Sequence, residues 1–181
     1  MYQELEIIKA KSYIIPYGFG EVYLNTLKYN PLRGSSYSEL PDFVKNSKSI
    51  INIKNTDEKC FLWCAIASRH LPAKDADRVS KYKPFVDEFK CEGTDFPMPF
   101  NKIEKFEKAN NLTVNVFTVD EKVKIPIRIS KYKSDEVINL FYYDNHYSLI
   151  KNFQRFIGGE HNHICVNCFK TYGNKDCYDK H

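Results

Sequence analysis

Three side chains that together could hydrolyse an amide bond through a thiol are spread over two parts of the sequence. Cys60 stands in KCFLWC, and Asp144 and His146 stand in YYDNHYSLI. A thiolate can attack a carbonyl carbon, an imidazole can carry the proton, and a carboxylate can orient the imidazole. Because alternate residues of an extended chain point to the same side, Asp144 could accept a hydrogen bond from His146. The alternative is a tight hairpin turn centred on Asp144 and Asn145, in which Asp144 would point away.

The segment that contains Cys60 predicts a buried helix. Its apolar residues keep a helical spacing, and Pro72 ends it. With Asp57 as the N-cap, Cys60 falls in the first turn, where unpaired backbone N–H groups favour a thiolate. Cys64 lies one turn deeper and is expected to be a core residue. The alternative to a nucleophile is that Cys60, like Cys64, is a small buried apolar residue, which is the commonest role of a free cysteine.

A side-chain amide shortly before the nucleophile would complete an oxyanion hole with the Cys60 N–H. Asn55 is the nearer candidate and Asn52 the other, although Asn55 could equally cap the helix. Asn152 is a second candidate for the residue that orients His146.

The elements around these residues predict an α+β fold. A short strand is expected at 49–54 and further helices at 75–89 and 100–110. After Asn110 the apolar period changes to two, which predicts four strands, at 112–119, 125–130, 136–143 and 146–152. Their short connections favour a four-stranded antiparallel meander. A cysteine on a buried helix followed by a histidine on a later strand is a papain-like order. We expect an N-terminal arm (1–48), a papain-like core (49–157) and a tail (158–181).

The tail contains a metal-ligand pattern. Cys165 and Cys168 are separated by two residues, and His181 follows after twelve more, which is typical of a zinc finger. A fourth ligand three to five residues beyond His181 would lie past the end of this sequence. Cys177 can replace it, because it is four residues from His181 and would share its face of a short helix. The expected cofactor is a structural zinc ion; the alternative is a half-formed finger.

The composition is that of a globular protein, with 43% hydrophobic and 28% charged residues. The net charge of +4 permits an acidic or nucleic-acid partner without requiring one. No run of about 18 apolar residues and no signal-peptide pattern occurs, so no membrane partner is expected. Without a secretory signal the six cysteines predict thiols or metal ligands and an intracellular location, in cytoplasm or nucleus.

The pattern of Cys60 followed by Asp144-x-His146 resembles the tegument deubiquitinases of herpesviruses and their tegument-like relatives. That resemblance implies a papain-like fold, a ubiquitin or ubiquitin-chain partner, and Asp144 as the third member of the triad. Many cysteine deubiquitinases place an aromatic residue after the catalytic histidine, against the ubiquitin tail. Tyr147 stands there, although it could also be an ordinary strand tyrosine. The viral enzymes carry a glutamine before the cysteine, where this chain has only Asn52 or Asn55.

A second resemblance covers residues 29–181. The stretches IINIKNTDEKCFLWC, INLFYYDNHYSLIKN and HICVNCF are similar to the region that precedes the polymerase in Polinton/Maverick-type DNA transposons. This implies a module encoded together with a protein-primed DNA polymerase. Three functions follow as expectations. The first is a deubiquitinase, and the second is a non-enzymatic module that docks nucleic acid, through the tail, or protein. The third is a cysteine protease that processes its own polyprotein.

Overall fold

The predicted α+β class is confirmed by a computed structural model, which describes residues 37–157, 163–164, 171–173 and 175–180. These residues belong to one compact unit, Pro31–His181. Most of the predicted arm lies outside the described residues, and the three domain boundaries remain predictions.

The central element is a five-stranded mixed sheet. Its strands are β1 (Ile50–Ile51), β2 (Thr113–Asp120), β3 (Val123–Arg128), β4 (Val137–Tyr143) and β5 (His146–Ile150). Their order across the sheet is β1-β5-β4-β2-β3. The four later strands lie close to their predicted positions, and the strand predicted at 49–54 is reduced to two residues.

The prediction of a four-stranded antiparallel meander was wrong, because β2 and β4 pair in parallel. The chain leaves β3 at one edge of the sheet, and residues 129–136 pass the start of β2 before β4 begins. Polar side chains of β2 hold this connection: Asn115 accepts the N–H of Ser130 at 3.1 Å, and Thr113 accepts the N–H of Ser134 at 2.9 Å. The connection leads to β4 on the far side of β2, parallel to it, and the sheet is therefore mixed.

Five α-helices are present in the described part of the chain. They are α1 (Asp42–Lys45), α2 (Cys60–Arg69), α3 (Phe100–Asn110), α4 (Phe153–Ile157) and α5 (Lys175–Asp179). The helix predicted at 100–110 is confirmed as α3. The α-helix predicted at 75–89 was wrong: the segment forms two short 3₁₀ helices, Val79–Lys81 and Lys83–Glu88. Pro84 lies at the start of the second one and lacks the N–H that a continuous α-helix through this segment needs. None of the helices described is long and apolar enough to cross a membrane.

Apolar side chains cover both faces of the sheet. Alternation along β2 and β5 sends Val116 and Leu149 into a larger core, and Phe117 and Ile150 into a smaller one. The larger core also contains the buried side chains of α2 and α3, and the smaller one contains Val44 of α1 and Phe156 of α4. Because α2 is buried along nearly its whole length, its first residue is carried against the sheet.

One buried ion pair fixes α3 to the sheet. Glu107, fully buried, accepts the N–H of Val114 at 2.6 Å and an N–H of Arg128 at 2.7 Å. The carboxylate therefore joins α3 to β2 and β3 at once.

Candidate active site

Cys60 is the first residue of α2. The helix N-cap is Lys59 and not Asp57 as predicted, so Cys60 lies at the N1 position rather than at N3. The N–H groups of the first helical turn have no partner within the helix, and they favour negative charge. The side chain is 1% exposed, because α2 packs directly against β5.

Two opposing effects act on the thiol of Cys60. Burial, assisted by the nearby carboxylate of Asp57, raises its pKa, and the net value is about 11 against an ordinary 9.0. The backbone N–H groups of Tyr147, Phe61 and Cys60 itself lower the pKa, because each stabilises a thiolate. Burial prevails, so the thiol is protonated at neutral pH in this arrangement. The N–H groups that would stabilise its anion are nevertheless already in place around the sulfur.

The main chain of Tyr147 is where α2 meets β5. Its N–H lowers the pKa of the Cys60 thiol, and its carbonyl oxygen accepts a hydrogen bond from the Cys64 thiol at 3.3 Å. His146, the first residue of β5, directly precedes Tyr147 in the chain and is 1% exposed. The fold thus brings Cys60 to the strand residue beside His146, although the two are far apart in sequence. Cys64 is fully buried, as predicted for a core residue.

Asp144 lies in the tight-turn geometry that the sequence left as the alternative. Asp144 and Asn145 have φ values of 47° and 58°, and the flanking residues Tyr143 and His146 are paired across the hairpin. Left-handed backbone at both central positions is typical of a two-residue hairpin loop. The carboxylate is exposed and accepts a hydrogen bond from the Ser38 hydroxyl at 2.7 Å. Orientation of His146 by Asp144 therefore remains a prediction, one that requires Asp144 to leave Ser38.

Asn55 is buried beside the helix start, but its amide is already engaged. The Asn55 Nδ2 group donates to the main-chain carbonyl of Asp57 and, at 3.1 Å, to its carboxylate. The Asn55 Oδ1 atom accepts no hydrogen bond from the residues described. In this arrangement the N–H of Cys60 is the available oxyanion donor, and Asn55 would have to turn away from Asp57 to act as the second.

Asp57 organises the loop before Cys60, a wider role than the helix N-cap that its residue type predicted. Its carboxylate accepts the N–H of Lys59 at 3.0 Å and the indole N–H of Trp63 at 2.9 Å, besides the amide of Asn55. These bonds join the loop to the second turn of α2. The only feature of the sequence that could have pointed to the contact between Asp57 and Trp63 is that Trp63 is the single tryptophan.

The other candidates lie in structural positions. Tyr147, predicted to contact substrate, is fully buried, with its ring 5.4 Å from that of Phe61 and 4.9 Å from that of Tyr142. A substrate could reach it only if the core opened. Asn152 accepts the N–H of Arg155 at 2.8 Å at the start of α4.

The predicted zinc ligands fall almost wholly outside the described residues. Cys165, Cys168 and His181 are among those not described, and Cys177 lies in α5 without a described side chain. Among the side chains that are described, no group of three or more histidine, cysteine or acidic residues could hold a metal ion.

Comparisons with protein-family models, with curated proteins and with solved structures found no match. A function for this chain must therefore be inferred from its own residues.

Proposed function

We propose that the chain is a papain-like cysteine hydrolase that cleaves peptide or isopeptide bonds after the C-terminal glycine of ubiquitin. The observation that supports this most is the position of Cys60. Its thiol lies at the start of a buried helix and against the main chain of Tyr147, the residue next to His146. A helix N-terminus favours a thiolate, and a histidine close to the sulfur can act as its base.

In the proposed reaction His146 removes the proton from the Cys60 thiol as the sulfur attacks the carbonyl carbon. The N–H of Cys60 stabilises the oxyanion of the tetrahedral intermediate. The C–N bond then breaks, and His146 returns the proton to the departing amine. A water molecule, deprotonated by His146, hydrolyses the thioester and releases the carboxylate and the free thiol.

The proposed reaction requires the site to open. Cys60 and His146 are each only 1% exposed, so a carbonyl group cannot reach the sulfur in this arrangement. A thiol with a pKa of about 11 is ionised in about one molecule in 10⁴ at pH 7. The same opening must therefore admit the substrate and allow the Cys60 proton to pass to His146, as in enzymes whose site assembles when substrate binds.

Ubiquitin is proposed as the substrate on the resemblance to tegument-like deubiquitinases and on the shape that a closed site selects. The ubiquitin tail ends in two glycines, which are the residues that can enter a passage too narrow for side chains. Tyr147 stays a proposed contact for the ubiquitin tail, on condition that the opening that exposes Cys60 and His146 also exposes its ring.

The test is a ubiquitin probe with a C-terminal electrophile. We expect a covalent adduct on Cys60 that disappears in Cys60→Ala and persists in Cys91→Ala, a matched variant that removes another thiol of the same domain. His146→Ala should slow hydrolysis of a ubiquitin–fluorophore conjugate by roughly 100-fold or more. A folded sample that gives no adduct, or an adduct that survives Cys60→Ala, would disprove the proposal.

The alternative function, a cysteine protease that processes its own polyprotein, differs from a deubiquitinase in the substrate that it cleaves. It would leave the ubiquitin probe unreacted and yet cleave a peptide with an internal Gly-Gly, and that cleavage would be lost in Cys60→Ala.

A second function, a zinc-bound docking module in the tail, is favoured by the order of its elements. Strands β6 (His163–Ile164) and β7 (Thr171–Tyr172) form an antiparallel hairpin, and α5 follows and contacts both strands. Cys165 and Cys168 lie between the two strands in sequence, and Cys177 lies within α5. A hairpin with two cysteines followed by a helix with further ligands is the order of a zinc finger. Three thiols and the His181 imidazole form a donor set suited to zinc, and the ion would stabilise the tail.

The metal content of the purified protein tests this second function. We expect about one zinc per chain, lost in Cys165→Ser with Cys168→Ser and retained in Cys91→Ser. Full zinc content in the double variant would contradict the site. If the tail docks nucleic acid, binding should weaken steeply with added salt and should not change in His146→Ala.

A further inference from the structure

Tyr37 and Ser38, here called the strap, lie across a polar surface beside the proposed active site. That surface, here called the ledge, consists of Asn52, Asn55 and Asp144. The Tyr37 N–H donates to the main-chain carbonyl of Asn55 at 3.1 Å, and the Asn52 amide donates to the Ser38 carbonyl at 2.9 Å. The Ser38 hydroxyl donates to the carboxylate of Asp144 at 2.7 Å. The strap thus joins the chain before α2 to the β4–β5 turn.

The ledge holds mainly the backbone of the strap. Two of its three hydrogen bonds go to main-chain atoms, the N–H of Tyr37 and the carbonyl of Ser38, which every residue except proline carries. Extended peptides are commonly bound in this way, with main-chain hydrogen bonds giving affinity independent of the side chains. Another extended segment could therefore form the same two bonds in place of the strap.

The position of the strap relates it to both proposed catalytic residues. The Tyr37 ring meets the His146 ring edge to face, with centroids 6.3 Å apart. On the other side, Asn55 lies five residues before Cys60 and shares the Asp57 network with the start of α2. Ser38 also binds the carboxylate that the sequence assigns to His146.

We propose that the ledge binds the extended backbone of a peptide substrate and that the strap occupies it as a built-in inhibitor. The inference deepens the proposed hydrolase function and rests on it for the identity of the substrate. When the strap leaves, the carbonyl of Asn55 and the amide of Asn52 become free for a peptide, and the cover over His146 is removed. The same step releases Asp144 from Ser38.

The test measures how fast iodoacetamide alkylates Cys60, with each modified cysteine identified by mass spectrometry. In a Tyr37→Pro/Ser38→Ala double variant, which removes the Tyr37 N–H and ring and the Ser38 hydroxyl, we expect alkylation of Cys60 to rise at least tenfold. Glu39→Ala, an exposed neighbour in the same segment, should leave the rate unchanged. Cys64 is the internal control, because it is fully buried in the same helix and would react in parallel if the variant simply unfolded.

A second measurement tests the ledge itself. A short peptide that ends in Gly-Gly, at millimolar concentration, should slow the alkylation of Cys60 in the double variant and have little effect on the unaltered chain. An unchanged Cys60 rate, a parallel rise at Cys64, or no protection by the peptide would each overturn the proposal. Faster alkylation with peptide protection but no cleavage of any ubiquitin or Gly-Gly substrate would retain the strap and ledge and refute the hydrolase.

Discussion

The pH dependence of Cys60 alkylation follows directly from the burial of its thiol. Iodoacetamide reacts with the thiolate, so the rate follows the fraction of sulfur that is ionised. Burial disfavours the anion and raises the pKa from an ordinary 9.0 to about 11. A rise of two units lowers the thiolate fraction at neutral pH about 100-fold. We therefore expect the rate to increase about tenfold per pH unit through pH 10, where an ordinary cysteine would already have levelled off.

The assay is alkylation for short times at pH 6 to 11, with Cys60 quantified by mass spectrometry. Glutathione in the same solution supplies the profile of an unperturbed thiol. Near-ultraviolet circular dichroism confirms that the protein stays folded over the range used. Because the closed form predominates, the midpoint reports its pKa whether the sulfur reacts in place or after a brief opening.

A Cys60 rate that levels off by pH 8 would refute this reasoning. It would show that the thiolate is already stabilised, as in a thiolate–imidazolium pair, and that burial does not control this sulfur.

Further predictions concern the loop before Cys60 and the buried ion pair. Asp57→Asn removes a negative charge that raises the pKa of Cys60, so the midpoint of the same profile should move to lower pH; a midpoint that stays or rises would contradict that electrostatic effect. Glu107→Ala should lower the free energy of unfolding by about 3–5 kcal/mol in urea titrations, because it leaves the mostly buried Arg128 without its carboxylate. Glu104→Ala, one turn earlier in α3 and exposed, should leave that free energy unchanged within error, and equal losses in the two variants would argue against a buried pair.

Local sequence patterns placed the elements well wherever one residue period ran without interruption. The helix expected at 100–110 is α3, and the period of two after Asn110 predicted β2 to β5 close to their observed limits. The same reasoning failed at 75–89, where Pro84 interrupts the backbone hydrogen bonding of a continuous helix. Asp57 was a reasonable N-cap by residue type, but its carboxylate accepts from Trp63, and the helix begins only after Lys59.

The candidate site shows where local patterns end. The sequence indicated Cys60 at a helix start and His146 at the head of a strand, and both positions hold. It could not show that Asp144 would bind Ser38, since these residues are 106 positions apart and meet only after folding. Nor could it show which tyrosine of a tyrosine-rich chain would be buried, and Tyr147 proved to be a core residue.

The sequence by itself determined most of the helix and strand segments and which residues could do chemistry, because periodicity, turns and residue type are local properties. Only the tertiary structure decided that β2 and β4 run parallel and that the main chain of Tyr147 meets the Cys60 thiol. It also decided that the Tyr37 ring meets the His146 ring. Strand partners and side-chain neighbours depend on how connections cross the sheet and on which surfaces bury each other, and these are contacts between residues distant in the chain.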